Sequence, residues 1–308
     1  MRASASRASS STAPARPASW DADVGSPAGA QLPATVVSGT WLQANLDNVV
    51  VADVRWYLDG RSGRAAYEAG HIPGAVFVDL DGDLSGPPST TGGRHPLPTP
   101  ADFAAAIGAL GIGDGCGVVA YDDASGMVAG RLWWMLRSLG EPVAVLDGGL
   151  AAWPGALSTE YPEISPARFT PRPWPPESFV SIAEVDVARR DRGTVVLDAR
   201  SSERYRGEPN AIDPRFGHIP GAVSAPCSAN LMPAGTLRSP DELRRSYAAA
   251  GVDGAAEVVA YCGSGVSANL DLLALEVAGL RGGRLFVGSW SAWGADPDRP
   301  VATGPEPG

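Results

Sequence analysis

The sequence predicts an α/β protein made of two tandem copies of one domain, each a mainly parallel β-sheet flanked by helices. Three observations carry the prediction. Four motifs recur in the same order in both halves, short β-branched runs alternate with helix-forming segments within each half, and 308 residues suit two cores. Val51-Ala-Asp-Val-Arg55 matches Val196-Leu-Asp-Ala-Arg200, and Gly70-His-Ile-Pro-Gly-Ala-Val76 recurs as Gly217-His-Ile-Pro-Gly-Ala-Val223. Val118-Val-Ala-Tyr121 recurs as Val258-Val-Ala-Tyr261, and Trp153 matches Trp293. A period of roughly 140 residues marks a duplicated domain, because solenoid repeats run at ~20–50 residues.

Residues 1–32 are rich in Ala, Ser, Arg and Pro without an apolar run, so they are expected to be a disordered tail. The first copy spans residues 33–157. Its strands are expected at Val49–Val54, Val118–Tyr121 and Val143–Leu146, and its helices at Ala101–Leu110 and Ala129–Leu139. Residues 158–176 contain Pro171-Arg-Pro-Trp-Pro-Pro176, and proline stiffens such a stretch into a semi-rigid connector. The second copy, residues 177–308, repeats the alternation with strands at Thr194–Leu197, Val258–Tyr261 and Leu285–Val287 and helices at Asp241–Ala250 and Ala268–Ala278. Trp133, Trp134, Trp153, Trp290 and Trp293 fit core or domain-interface packing. Asp53 and Asp198, each preceding an arginine by two residues at a strand end, fit ion pairs that brace the fold.

Composition removes several function classes. A net charge of −10 argues against a nucleic-acid surface, and no apolar run reaches the ~18 residues of a membrane span. All 24 basic residues are arginine, which excludes Schiff-base chemistry and a lysine-bearing phosphate loop. Cys116, Cys227 and Cys262 are too sparse for a disulfide framework or a Cys-x-x-Cys metal pair, and His71, His95 and His218 are scattered. The expectation is a reduced, cytoplasmic protein with no metal and no organic cofactor.

The segment richest in chemistry is Val258-Val-Ala-Tyr-Cys-Gly-Ser-Gly-Val-Ser-Ala268. A buried strand delivers Cys262 to its C-terminal end, where open α/β sheets bind ligands. A loop of small residues follows and a helix begins near Ser267. Backbone N–H groups turned around the sulfur, together with the helix terminus, favour thiolate over thiol. Gly263 and Gly265 permit the backbone angles of such a cradle, Ser264 can donate into it and Ser267 can cap the helix. The first copy has Asp122 where the second has Cys262, a contrast that a purely structural turn does not require.

The tandem copies, the paired Gly-His-Ile-Pro-Gly-Ala motifs and the Cys-Gly-Ser-Gly-Val-Ser loop resemble the rhodanese family of sulfurtransferases over nearly all of residues 33–308. The resemblance implies two rhodanese-like domains with the active site between them. It also implies a sulfane sulfur passed to Cys262 as a persulfide, then taken by a small thiol, a protein thiol such as thioredoxin, or cyanide. Thiosulfate-using members usually place cations beside the cysteine, whereas Gly263 and Ser264 are neutral. The loop therefore resembles the 3-mercaptopyruvate branch, with thiosulfate as the alternative donor and a non-enzymatic binding module as the alternative class. The same resemblance assigns donor binding to Arg204 and Arg215 and to the loop residues Gly263, Gly265 and Val266. It assigns proton handling to Ser264, helped by His71 and an acid of the first copy, for which Asp59 stands closest in sequence, and it counts Ser267 among the catalytic residues, where it keeps the hydroxyl of the threonine usual in that branch. His218 is the twin of His71 and fits a structural role, and His95 carries no signal. A cysteine phosphatase is excluded, because the sixth residue after Cys262 is Ala268 and not the arginine that phosphate transfer needs.

Overall fold

The computed structural model describes residues 32–280 and 282–308. The expected tail lies outside the described residues except for Leu32, which packs against the first core. The first copy runs β1 (Val36–Val37), α1 (Gly39–Ala44), β2 (Val50–Asp53), α2 (Gly63–Ala69), β3 (Val76–Phe77), α3 (Pro100–Ala109), β4 (Val118–Tyr121), α4 (Ala129–Ser138) and β5 (Val143–Leu146). The second runs β6 (Phe179–Val180), α5 (Ile182–Ala188), β7 (Thr194–Asp198), α6 (Ser202–Arg206), β8 (Ala222–Ser224), α7 (Pro240–Ala249), β9 (Glu257–Tyr261), α8 (Ala268–Val277), β10 (Gly283–Phe286) and α9 (Ser289–Trp293). Each copy forms a five-stranded sheet, ordered β1-β5-β4-β2-β3 and β6-β10-β9-β7-β8, and every pairing is parallel. The strands that the sequence signals are the central ones, buried on both faces. The edge strands β1, β3 and β6 have two residues each, too few for a periodic pattern.

The duplicated motifs make the same bonds twice. Asp53 holds Arg55 at 2.6 Å while Arg55 donates to the Gly70 carbonyl, and Asp198 holds Arg200 at 2.6 Å while Arg200 donates to the Gly217 carbonyl. The Tyr121 hydroxyl donates to Asp53 and receives the Ile72 N–H, as the Tyr261 hydroxyl does with Asp198 and Ile219. All four charged members are buried, so their pairing removes the penalty of isolated charge.

The connector lies along the first copy. Phe169 packs edge-on against Phe103, the Trp174 indole donates to the Pro98 carbonyl, and Arg172 pairs with Glu141. The two copies meet along α4 and α8, and residues of both helices belong to one apolar cluster, with Leu132 and Trp133 on one side and Leu270 and Leu273 on the other. The close approach uses Gly130, where a Cβ would already sit 3.4 Å from Asn269. Among the described residues no helix is long and apolar enough to cross a membrane, and no group of His, Cys, Asp or Glu is arranged to hold a metal ion.

Candidate active site

β9 ends at Tyr261, and the chain turns through Cys262–Ser267 into α8. The turn directs its carbonyls outward and its N–H groups inward. The Cys262 carbonyl accepts from the Trp290 N–H at 3.0 Å, that of Gly263 from the Ser291 N–H at 2.9 Å, and that of Gly265 from Arg131 Nη1 at 3.0 Å. Gly265 has φ +74°, and a Cβ there would meet the Val287 carbonyl oxygen at 2.4 Å, so only glycine fits. Cys262 is 2% exposed. Burial pushes its thiol up, but the N–H of Ser264, the Ser267 hydroxyl and the N–H groups of Ala268 and Val266 all favour the thiolate. Together they hold the group below the usual thiol range. Ser267 makes no side-chain cap bond to α8; its hydroxyl faces the sulfur instead.

Ser264 points the other way, across the domain boundary. Its Oγ lies 2.9 Å from Nδ1 of His95, whose Nε2 lies 3.1 Å from Oδ1 of Asp81. Burial is the main cause that lowers the His95 imidazole to about 4, with Asp81 opposing and Arg131 and Arg94 reinforcing the shift. His95 is therefore neutral at physiological pH, and its contact with Asp81 is a hydrogen bond rather than an ion pair. Nε2–H donates to Asp81, which leaves Nδ1 to accept the Ser264 hydroxyl proton.

Two guanidinium groups stand over Gly263. A Cβ at this residue would lie 2.9 Å from Arg204 Nη2 and 3.2 Å from Arg94 Nη2. Arg204 forks onto Asp213 through Nε at 2.9 Å and Nη2 at 2.5 Å. Asp213 is held below the usual carboxylate range: burial acts against this, but the Arg204 bonds and the Arg204 and Arg200 charges prevail. A third arginine, Arg131, is fully buried. It ties the cysteine loop to the histidine loop, donating to Gly265 on one side and to the carbonyls of Leu84, His95 and Pro96 on the other.

Several expected site residues lie elsewhere. His71 is buried against Tyr67, with ring centroids 3.9 Å apart, and its nitrogens face the carbonyls of Tyr67 and Glu160. His218 repeats this arrangement on Tyr205, facing the carbonyls of Tyr205 and Pro307. The structure gives the expected place of His71 beside Ser264 to His95. Asp59 is exposed and paired with Arg61 at 2.9 Å, and the acid that reaches the histidine is Asp81. Arg215 donates to the carbonyls of Gly294, Pro297 and Arg299, which commits it to the segment after α9, and the second arginine beside the cysteine loop is Arg94. Arg94, His95 and Asp81 lie on the long connection between β3 and α3, which has no periodicity to draw attention to them.

The chain matches the model of the rhodanese-like domain twice, at residues 38–156 and 181–296. It is 43% identical over 268 residues to the "Probable 3-mercaptopyruvate sulfurtransferase" of Pseudomonas aeruginosa, covering 83% of this chain and 93% of the relative. It is 40% identical over 271 residues to the "Putative thiosulfate sulfurtransferase SseB" of Mycobacterium tuberculosis, covering 84% and 92%. Among solved structures it resembles the 3-mercaptopyruvate sulfurtransferase SseA of Escherichia coli, with TM-score 0.72 and 32% identity over 83% of this chain and 98% of that one. Duplicated sheets, a cysteine cradle in the second copy alone and these matches over both halves lead to one placement: the chain belongs to the rhodanese family as a tandem of two rhodanese-like domains.

Proposed function

We propose that the protein transfers sulfur from 3-mercaptopyruvate to a thiol or cyanide through a persulfide on Cys262. The observation that carries this reading is the juxtaposition of a thiol held below its usual range with a relay in which Ser264 of the same loop meets His95 and Asp81 of the other domain. In the first half-reaction the Cys262 thiolate attacks the donor sulfur. Ser264 takes the donor S–H proton as it passes its own to His95, and the carbon–sulfur bond breaks toward carbon. The enolate left behind receives the proton back from His95 through Ser264 and becomes pyruvate, while Cys262 keeps the sulfur as Cys–S–S⁻. In the second half-reaction an acceptor thiolate or cyanide attacks the outer sulfur and restores the Cys262 thiolate. Small thiols and a protruding cysteine such as that of thioredoxin have the required chemistry. Cys116, Cys227 and Cys262 are all free thiols, which suits the reducing cytoplasm.

Thiosulfate is the second reading, favoured by the two guanidinium groups over Gly263, which make cationic a place that the sequence leaves neutral. Parallel assays with both donors, with the mass of the Cys262 peptide as readout, test the proposal. A one-sulfur increase with 3-mercaptopyruvate, faster turnover than with thiosulfate, and loss of both in a folded Cys262→Ser variant are expected. Undiminished turnover in Cys262→Ser overturns the persulfide, and preference for thiosulfate overturns the donor.

A further inference from the structure

Asp81 is the exposed member of the relay. Its side chain is 64% exposed, whereas that of His95 is 6% exposed. A cleft lined by Trp56, Tyr57, Arg64, Asp79 and Asp81 leaves the carboxylate open to solvent. An exposed carboxylate turns readily and trades its partner for water, so a single bond to a neutral imidazole holds it weakly. Its own N–H donates to Asp79 Oδ1 at 2.9 Å, which anchors the backbone but not the carboxylate. Among the described residues one further side chain reaches it. The Trp56 Nε1–H donates to Asp81 Oδ2 at 2.9 Å while Asp81 Oδ1 faces His95 Nε2 at 3.1 Å, so each oxygen has its own donor. The Trp56 ring also stands edge-on to the His95 ring, at 89° with centroids 5.4 Å apart. One residue therefore touches both groups and fixes the carboxylate and the imidazole together.

The duplication singles out the same residue. Asp53-Val-Arg55 and Asp198-Ala-Arg200 make matching buried pairs, and the residues that follow them are Trp56 and Ser201. In the first copy residues 56–62 lie between Arg55 and α2, whereas in the second only Ser201 lies between Arg200 and α6. The buried Arg55 pair anchors the start of the longer segment, and Trp56 packs half-buried against the apolar cluster that both copies share. The frame common to both copies is built without a tryptophan at this place. The ring therefore answers a requirement of the first copy alone, which is the copy that carries His95 and Asp81.

We propose that Trp56 is a positioning residue for the reaction: its indole holds Asp81 so that His95 keeps its proton on Nε2 and offers Nδ1 to Ser264. The inference rests on the reading of a donor that surrenders an S–H proton to the relay, and one arm of the test needs no turnover.

The experiment uses Trp56→Phe, which keeps an aromatic ring and removes the N–H, in the full chain. With 3-mercaptopyruvate kcat is expected to fall ~10-fold, with KM within ~2-fold and Tm within a few degrees of wild type. In an Asp81→Ala background the same substitution is expected to change kcat by less than ~2-fold, because the carboxylate it acts through is gone. A rise in KM alone, or a loss that multiplies with that of Asp81→Ala, overturns the assignment. The second arm reads the imidazole directly, in 15N spectra of protein labelled at its three histidines, His71, His95 and His218. The His95 signals, assigned by their absence from His95→Ala, are expected to show the Nε2–H tautomer at neutral pH in wild type. In Trp56→Phe they are expected to move toward the shifts of averaged tautomers, with His71 and His218 unmoved. A His95 spectrum unchanged by the substitution, or a displacement of all three histidines, overturns the proposal whichever donor proves physiological. Movement of His95 alone in a protein that does not turn over 3-mercaptopyruvate upholds the role of Trp56 and discards the donor.

Discussion

After β4 the Asp122 carboxylate accepts the N–H groups of Ala124, Gly126, Val128 and Ala129, all between 2.7 and 2.8 Å. After β9 the Cys262 sulfur faces the N–H groups of Ser264, Val266 and Ala268 and the Ser267 hydroxyl. Three of the backbone donors correspond one to one in the duplicated sequence, so both copies build the same ring of peptide dipoles around a position at the end of a central strand. The first ring is filled by a side chain that never leaves. Burial dominates at Asp122, and the four N–H groups only reduce its effect, so that carboxyl is raised above its ordinary value. At Cys262 the donors outweigh burial and the thiol is lowered. A carboxylate loses more hydration on burial than a large, polarisable thiolate, so one geometry yields a permanent plug in one copy and a reactive anion in the other.

Exchange across the duplication gives the largest expected effect. Cys262→Asp makes the second ring a copy of the first. Sulfur transfer is then expected to fall below detection in a thiocyanate-release assay while the thermal transition stays within a few degrees of wild type. Collapse of the fold would show that the two rings are not equivalent. The next contrast sets His95 against His71. His95→Ala is expected to lower kcat by ~10²-fold without lowering Tm substantially. His71→Ala, like His218→Ala, is expected to lower Tm and to leave the kcat of the folded fraction near wild type. A loss of kcat in His71→Ala that matches His95→Ala would remove His95 from its place as the proton relay.

Asp122→Ala strands four donors, three of them buried, and is expected to cost ~3 kcal/mol or more by chemical denaturation, with turnover of the folded enzyme retained. A smaller contrast concerns Asp271, which the duplication places opposite Arg131. Burial raises the Asp271 carboxyl to about 8, against the bonds from Asn230 and Tyr247, and its Oδ2 has no partner among the described residues. The folded protein therefore holds a proton that the unfolded chain releases above pH ~4. Stability falls as pH rises from about 4 to about 8 and is flat with respect to this group beyond that. Asp271→Asn is expected to remove the slope, raising Tm by roughly 5 °C at pH 8 and little at pH 4. A parallel offset at both pH values would place the ionisation elsewhere.

The duplicated frame is legible in the sequence because each repeated motif is a bonded unit: Asp-x-Arg with its tyrosine, and His-Ile-Pro-Gly with the histidine stacked on a tyrosine. The cysteine loop is legible because β-strand, cysteine, glycines and helix follow one another locally. The partners that cross the domain boundary are not, since Arg94, His95 and Asp81 acquire meaning only when α4 and α8 pack together. A usable signal was nevertheless present. His71 has a twin in His218, so the requirement it meets belongs to the fold common to both copies. His95 has no twin, and an unmatched residue in a duplicated chain marks what one copy does for the other. The loop is neutral in its own residues but not in its surroundings, because the absence of a side chain at Gly263 lets two distant guanidinium groups enter.

Arg131 has a consequence for how sulfur leaves. One buried guanidinium fastens the loop on either side of the domain seam, and the seam itself is sealed by shared apolar side chains. Prising the lobes apart would strand that cation in a dry environment, so the catalytic cleft works as a fixed keyhole rather than a jaw. Whatever collects the cargo must bring its nucleophile to a nearly enclosed atom on a slender projection. A flat docking face is shut out by shape alone.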